Sequence, residues 1–261
     1  MSDEIPGLPA RGRWQGTRQI MAYNWPFYAV ALGAVAVVRG VFRRGDWPRW
    51  MQNIGAAGSG LAVFWTLASV AASWWVYDRS ALYRWQWLRE LLPQTPQSWA
   101  NVHCGLDEST PVLRALFPST ESQVFDIFAP PEMTEPSIRR ARTLTPSPVA
   151  ATPADYRALP LADESLDAVF LLFAAHEIRE RDGREALFGE LRRVLRPGGC
   201  VVLLEHTRDA ANCAAFGPGF LHFFPRNEWR SLATGADFII ERESAFTPFV
   251  RLFVLRAKGE S

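Results

Sequence analysis

Two stretches without a single charge constrain this chain before anything else does. Ile20 to Val38 reads IMAYNWPFYAVALGAVAVV, and Ile54 to Val76 reads IGAAGSGLAVFWTLASVAASWWV. A helix needs ~20 apolar residues to cross the hydrocarbon layer of a bilayer, and both runs reach that length. Trp25, Tyr28, Trp74, Trp75 and Tyr77 lie towards the ends of the runs, where amphipathic rings favour the interface. Gly55, Ala56, Ala57, Gly58, Ser59 and Gly60 are small enough for helices to approach closely, so a homo-oligomer through the hairpin is one expected partner state. The runs predict a membrane hairpin over residues 20–77, behind a mobile tail over residues 1–19. Arginines fill the connection (Arg39, Arg43, Arg44, Arg49) and both outer flanks. Charge therefore does not fix the topology, and spanning and re-entrant insertion both stay open.

The rest of the chain reads as globular. Its formal net charge of +1 gives no reason to expect nucleic acid as a partner. Cys104, Cys200 and Cys213 are an odd number without CxxC spacing, which argues against a disulfide framework and fits a domain facing the reducing cytoplasm. Residues 78–97 predict a linking amphipathic helix, capped by Asp78 or Ser80, with Leu82, Trp85, Leu88 and Leu92 on one face. From residue 98 to 261 short apolar runs alternate with helical patterns. Expected strands are Ala100 to Cys104, Ser122 to Ile127, Leu166 to Phe173, Cys200 to His206, Phe238 to Glu243 and Phe249 to Ala257. Strands alternating with helices imply an α/β fold, doubly wound, with helices on both faces and ligands beyond the carboxyl ends of the strands.

Two blocks carry a resemblance. LPLADESLDAVFLLF, followed by LFGELRRVLRPGGCVVLLEH, resembles the class I S-adenosylmethionine-dependent methyltransferases in motif, order and spacing. The resemblance spans residues 98 to 261 and implies a Rossmann-like sheet with S-adenosyl-L-methionine as cofactor. It puts Asp126, in VFDIF, where a carboxylate accepts hydrogen bonds from the ribose hydroxyls. Asp155, with Tyr156 beside it, falls where the family contacts adenine. The glycine loop departs from the pattern. In NVHCGLDEST, Gly105 matches the first glycine, His103 stands where an acid is usual, and Asp107 and Ser109 replace the other two glycines. Asp107 is expected either to crowd the methionine moiety or to hold its ammonium group.

The fourth strand of such a fold ends beside the transferable methyl group, so His176 and Glu177 are expected to project into the substrate pocket. The fifth delivers His206 to the same rim, followed by Arg208, Asp209, Asn212 and His222, expected to bind substrate. Methyl transfer needs alignment, plus a base where the acceptor is protonated, and histidine suits that work. His176 and His206 are the candidate bases, with a wall or capping role open for each; Glu177 is expected to orient the loop or bind substrate. No metal is expected, since HxH and HxxxH spacings are missing. The function implied is a membrane-anchored methyltransferase with its catalytic domain facing the cytoplasm, acting on a lipid, quinone or other apolar small molecule in the lipid bilayer. Two rivals remain at this point: a catalytically silent domain scaffolding a membrane complex, and a soluble enzyme whose hairpin packs in a dimer.

Overall fold

The computed structural model describes residues 11–92, 94–118 and 120–259. Of the tail expected to be mobile, residues 1–10 lie outside that description. The remainder is ordered by contact, because helix α1 (Gln15–Arg44) begins five residues before the apolar run. The cause is distant in sequence. The Asp78 carboxylate accepts from the amides of Gly16 and Thr17, each at 2.8 Å, and so caps an N-terminus that carries no local cap.

Helix α2 (Arg49–Trp74) follows a short connection, and the two helices pack as a hairpin. Each holds an apolar window long enough to cross a membrane, and no residue in either window is buried. Trp25, Phe27, Val30, Val37, Ile54 and Leu67 face outward. An apolar surface of this extent on a monomer marks an interaction site.

The single linking helix expected after it is instead three short turns: a π turn (Trp75–Arg79), a 3-10 turn (Leu82–Arg84) and α3 (Trp87–Leu91). Asp78 is turned towards α1, and Trp85 adopts a left-handed φ of 62°, which a helix cannot continue through. Leu82, Trp85, Leu88 and Leu92 are still buried together, so the apolar spacing marked the core contact but not the element.

The sheet runs β3-β2-β1-β4-β5-β7-β6. Its strands are β1 (Ser98–His103), β2 (Glu121–Asp126), β3 (Thr152–Pro153), β4 (Leu166–Leu172), β5 (Leu195–His206), β6 (Phe238–Thr247) and β7 (Val250–Ala257). The first five are parallel, and β7 pairs antiparallel with both β5 and β6. β4 and β5 are nearly continuous apolar runs because both faces are covered. Val169, Leu171, Val201 and Leu203 pack on α6 (Arg181–Val194) and α8 (Arg226–Gly235), while Ala168, Phe170, Val202 and Leu204 meet α3 and α4 (Thr110–Leu116). Helices α5 (Pro136–Leu144) and α7 (Ala210–Phe216) sit at the carboxyl edge, where they touch α1 and α2 respectively. β1 and β4 lie side by side and send their connections in opposite directions, so a crevice opens beyond their ends.

Candidate active site

β4 hands over to the site through a sharp turn. Phe173 has φ of 57°, an uncommon conformation for a bulky residue, and the chain then winds into a 3-10 turn, Ala175–Glu177. Glu205 near the end of β5 holds that turn. Its fully buried carboxylate accepts from the amides of Ala175 at 2.9 Å and His176 at 3.3 Å, and from His176 Nδ1 at 2.6 Å. On the other side of the ring, His176 Nε2 lies 3.4 Å from Glu177 Oε1. Burial alone disfavours the charged imidazole, but Glu205 and Glu177 overcome it and push the His176 pKa up to about 10. His176 is therefore an imidazolium at neutral pH, which corrects the expectation of a free base there. Burial raises the Glu177 carboxyl, yet the adjacent His176 ring brings it below the usual range. Its Oε2 is buried without a partner. His222 stands edge-on to His176 with ring centroids 5.2 Å apart, and its Nδ1 lies 3.6 Å from Glu135. Burial, then the charge on His176, push the His222 pKa down to about 3.

His206 differs from His176 in every respect. Its Nδ1 donates to the carbonyl of Phe249 and its Nε2 accepts from the Tyr77 hydroxyl, both at 2.9 Å. Phe173 and Phe223 flank the ring. Burial and the charge on His176 bring its pKa down to about 4. With both nitrogens engaged, the expected second base is a neutral wall residue in this arrangement.

At the end of β1 the chain passes Gly105, whose φ of 146° only glycine adopts readily. Arg142 from α5 lies over it. Its guanidinium donates to the Cys104 carbonyl at 2.8 Å and pairs with both oxygens of Asp126, at 2.9 and 2.7 Å. Asp126 thus sits at the tip of β2 with a carboxylate fit for two hydroxyls, and an arginine holds it. Arg142, about a third exposed at 32%, thus occupies the carboxylate that the resemblance assigns to the ribose.

Asp107 does not fill the expected role. Its Oδ1 accepts from Asn101 Nδ2, the Ser109 and Thr110 amides and the Ser109 hydroxyl, so it organises the start of α4 instead of meeting an ammonium group. His103 is neutral, its pKa lowered by burial, with Nδ1 accepting from the Gly105 amide at 3.1 Å. Asp155 is exposed and accepts from the Arg157 amide, while Tyr156 is buried and spends its hydroxyl on Glu132. Tyr156 therefore supports the loop from beneath and has no free polar group for adenine.

One cavity of about 870 Å³ joins the ends of β1 and β4 to the hairpin; Asp107, Asp126, Asp155 and Tyr156 do not line it. His103, Gly105, Glu135, His176, Glu177, His206 and His222 line one end, and the hairpin side chains Phe27, Tyr28, Leu61 and Trp65 line the other. Of the expected substrate residues, His222 lines it. Arg208 donates to the carbonyls of Phe223 and Leu221, Asp209 caps α7, and Asn212 bridges Asp209 and the Phe249 carbonyl. Those three build the rim and do not reach the cavity with a free group. The sequence places Glu205 at the rim, as a carboxylate ending a buried apolar strand, and Tyr77 at the end of an apolar run, but not their bonds to His176 and His206; Glu135 and Arg142 carry no signal, since they become neighbours of the site only through tertiary folding.

Residues 101–203 match a family model described as a methyltransferase domain. A stretch of 85 residues, 32% of this chain, is 33% identical to the hybrid PKS-NRPS synthetase ucsA of Acremonium sp, and spans only 2% of that relative's length. Among solved structures, a SAM-dependent methyltransferase from Aquifex aeolicus is similar at TM-score 0.50 and 17% identity, covering 66% of this chain and 88% of that one. SAM-dependent methyltransferases from Methanosarcina mazei give TM-score 0.51 and 16% identity, covering 67% and 99%. Their likeness establishes the fold. The chain thus has the fold of the SAM-dependent methyltransferases, with the sheet order and the crevice beyond β1 and β4, and its residues 101–203 match a methyltransferase domain.

Proposed function

We propose that the protein is a membrane-anchored methyltransferase whose acceptor is an apolar small molecule, a lipid or quinone-like compound, with a polar group at one end. The observation that carries this reading is the continuity of the cavity from His176 and Glu177 to Phe27, Leu61 and Trp65 of the hairpin. An acceptor's apolar body fits between α1 and α2, and its polar end then meets the charged cluster at the strand ends. The outward apolar face of the hairpin supports insertion in a bilayer, from which such an acceptor is drawn.

In this reading the cofactor, when bound, supplies an electrophilic methyl group on a sulfonium. Asp126 takes the ribose and Gly105 lets the backbone approach closely. His176, held charged by Glu205, anchors an oxygen or sulfur of the acceptor and does not begin as its base, while Glu177 and His222 complete the polar end of the pocket. Alignment is then the main source of rate.

The test is full-length protein in phospholipid vesicles, supplied with a methyl-labelled donor and a total membrane lipid extract. Label should enter the organic phase; label confined to protein or to water-soluble compounds would overturn the acceptor class. The silent-scaffold reading draws on one observation, the Arg142 pair that closes Asp126. Calorimetry with S-adenosylhomocysteine decides it, because a scaffold gives no binding heat.

A further inference from the structure

We propose that His176, Glu177 and His222 form a binding site for one divalent transition-metal ion at the polar end of the cavity, with zinc the best match to its nitrogen and oxygen donors. One ligand atom from each of the three residues lies within 4.8 Å of the other two.

Four features make this a built site and not a chance cluster. The first is the His176 Nε2 to Glu177 Oε1 separation of 3.4 Å. It is too long for a charge-assisted hydrogen bond of ~2.7–2.9 Å. It fits two ligands sharing a tetrahedral ion, for which bonds of ~2.0–2.1 Å put neighbouring donor atoms about 3.3 Å apart. The second is the orphan Oε2 of Glu177, an anionic lone pair in a residue that is 5% exposed. Leaving it unpaired costs free energy that a cation removes.

The third is an outer shell already in place. Glu205 accepts from His176 Nδ1 at 2.6 Å and so turns Nε2 towards Glu177. Glu135 lies 3.6 Å from His222 Nδ1 in the same relation. Metal-bound histidines commonly donate their second ring nitrogen to a carboxylate in this way. The fourth is charge. Glu177, Glu205 and Glu135 face the cluster against the guanidinium of Arg179, which donates to the carbonyls of His176 and His222. An ion at Nε2 takes the place of the proton that His176 otherwise carries there, and three carboxylates against one guanidinium then leave a net negative charge that a divalent ion offsets.

His222 sits on a 3-10 turn, Gly217–His222, with its side chain about a quarter exposed, and it supplies the third donor from outside the β4 turn. Three protein ligands leave a position open towards the cavity, as in catalytic and not structural zinc sites. The donors come from positions 176, 177 and 222, a spacing with no local motif, which is why the sequence alone argues against a metal. With the ion bound, His176 Nε2 is a ligand, and the open coordination position takes over the polar end of the acceptor; the proposal rests on this geometry, so the ion can fail without the acceptor class failing.

The experiment uses full-length protein in detergent, stripped with a chelator and titrated with Co²⁺ as a visible-absorbing stand-in for zinc. Saturable binding of about one equivalent with N/O-type d–d absorption is expected. Glu205→Gln, which keeps one oxygen for the Ala175 and His176 amides and removes the charge behind Nδ1, should weaken Co²⁺ by ~10- to 100-fold. Glu177→Gln and His222→Gln should weaken it at least as much, and Cys213→Ser should leave it unchanged. Variants count only if they bind S-adenosylhomocysteine with wild-type affinity. His222→Gln, on the exposed turn, carries the test if the buried variants fail to fold. Absence of saturable Co²⁺ binding, or binding that His222→Gln leaves intact, overturns the site.

Discussion

If Asp126 takes the ribose as proposed, its pair with Arg142 controls cofactor access, because the guanidinium occupies both carboxylate oxygens. The pair is partly exposed, so its strength is that of a surface ion pair, ~0.5–1 kcal/mol. A protein whose competent state is only fractionally populated binds its ligand correspondingly more weakly. Arg142→Gln should therefore tighten S-adenosylhomocysteine binding by about two- to fivefold, read by calorimetry; a loss of affinity would make Arg142 a ligand and not a plug. A second residue-scale prediction follows from His206, whose folded pKa of about 4 lies below the ordinary value of 6.5. Below pH 6.5 the unfolded chain takes up a proton that the folded ring refuses until about pH 4. The associated stability is complete above pH 6.5 and is lost as pH falls towards 4, at most ~3 kcal/mol in all. Denaturant melts of wild type and His206→Gln at pH 7, 6 and 5 should diverge in slope with pH. Parallel curves would mean that the ring titrates freely. What was legible at this scale was the local pair His176–Glu177. What was not legible was which carboxylate does what, because Glu205 and His176 meet across two strands, and Asp107 turns back to cap α4.

Among the elements, the strands were the easiest to read. β4 and β5 are covered on both faces, and an apolar run bounded by turn residues has little else it can become. The start of α1 was not readable, since its cap, Asp78, is 62 residues away from Gly16. Nor was the break at Trp85, where the packing of an aromatic cluster outweighs helical spacing. The hairpin elements carry their own prediction. Ala62 lines the cavity on α2, facing the space in which the acceptor body is proposed to lie. Ala62→Phe should fill part of that space, raising KM for an apolar acceptor tenfold or more, on the scale of a lost aliphatic contact of ~1.5–3 kcal/mol. Cofactor affinity, measured on the same preparation, should not move. A parallel loss of both would mean that the substitution distorts the fold and not the acceptor space alone.

The whole molecule couples an exposed apolar hairpin to a methyltransferase sheet through contacts that a simple tether would not need. Glu108, just past Gly105, pairs with Arg11 at 2.9 Å and accepts from Gln15 and Gln19 of α1 at 3.2 and 3.0 Å. Tyr23 donates to Thr145 at 2.6 Å, and Trp65 of α2 covers Gly217 so closely that an added Cβ would lie 2.6 Å from its ring. The hairpin thus forms a wall of the cavity, beside the anchoring role proposed for it. A chain beginning at Trp75 keeps the buried Val76 and the Tyr77–His206 bond but removes that wall. Its Gly105–Asp126 cradle is built by β1, β2 and α5, so affinity for S-adenosylhomocysteine should stay within about tenfold of wild type, one hydrogen-bond network of ~1.4 kcal/mol being the scale of the lost Glu108 contacts. Turnover of an apolar acceptor should collapse even when that acceptor is dispersed in detergent, where anchoring confers no advantage. Comparing the two chains in vesicles and in micelles separates the roles. If the shortened chain matches wild type in micelles and falls behind only in vesicles, the hairpin is a tether alone; if it fails in both while still binding cofactor, the helices shape the pocket in which the methyl group is passed on.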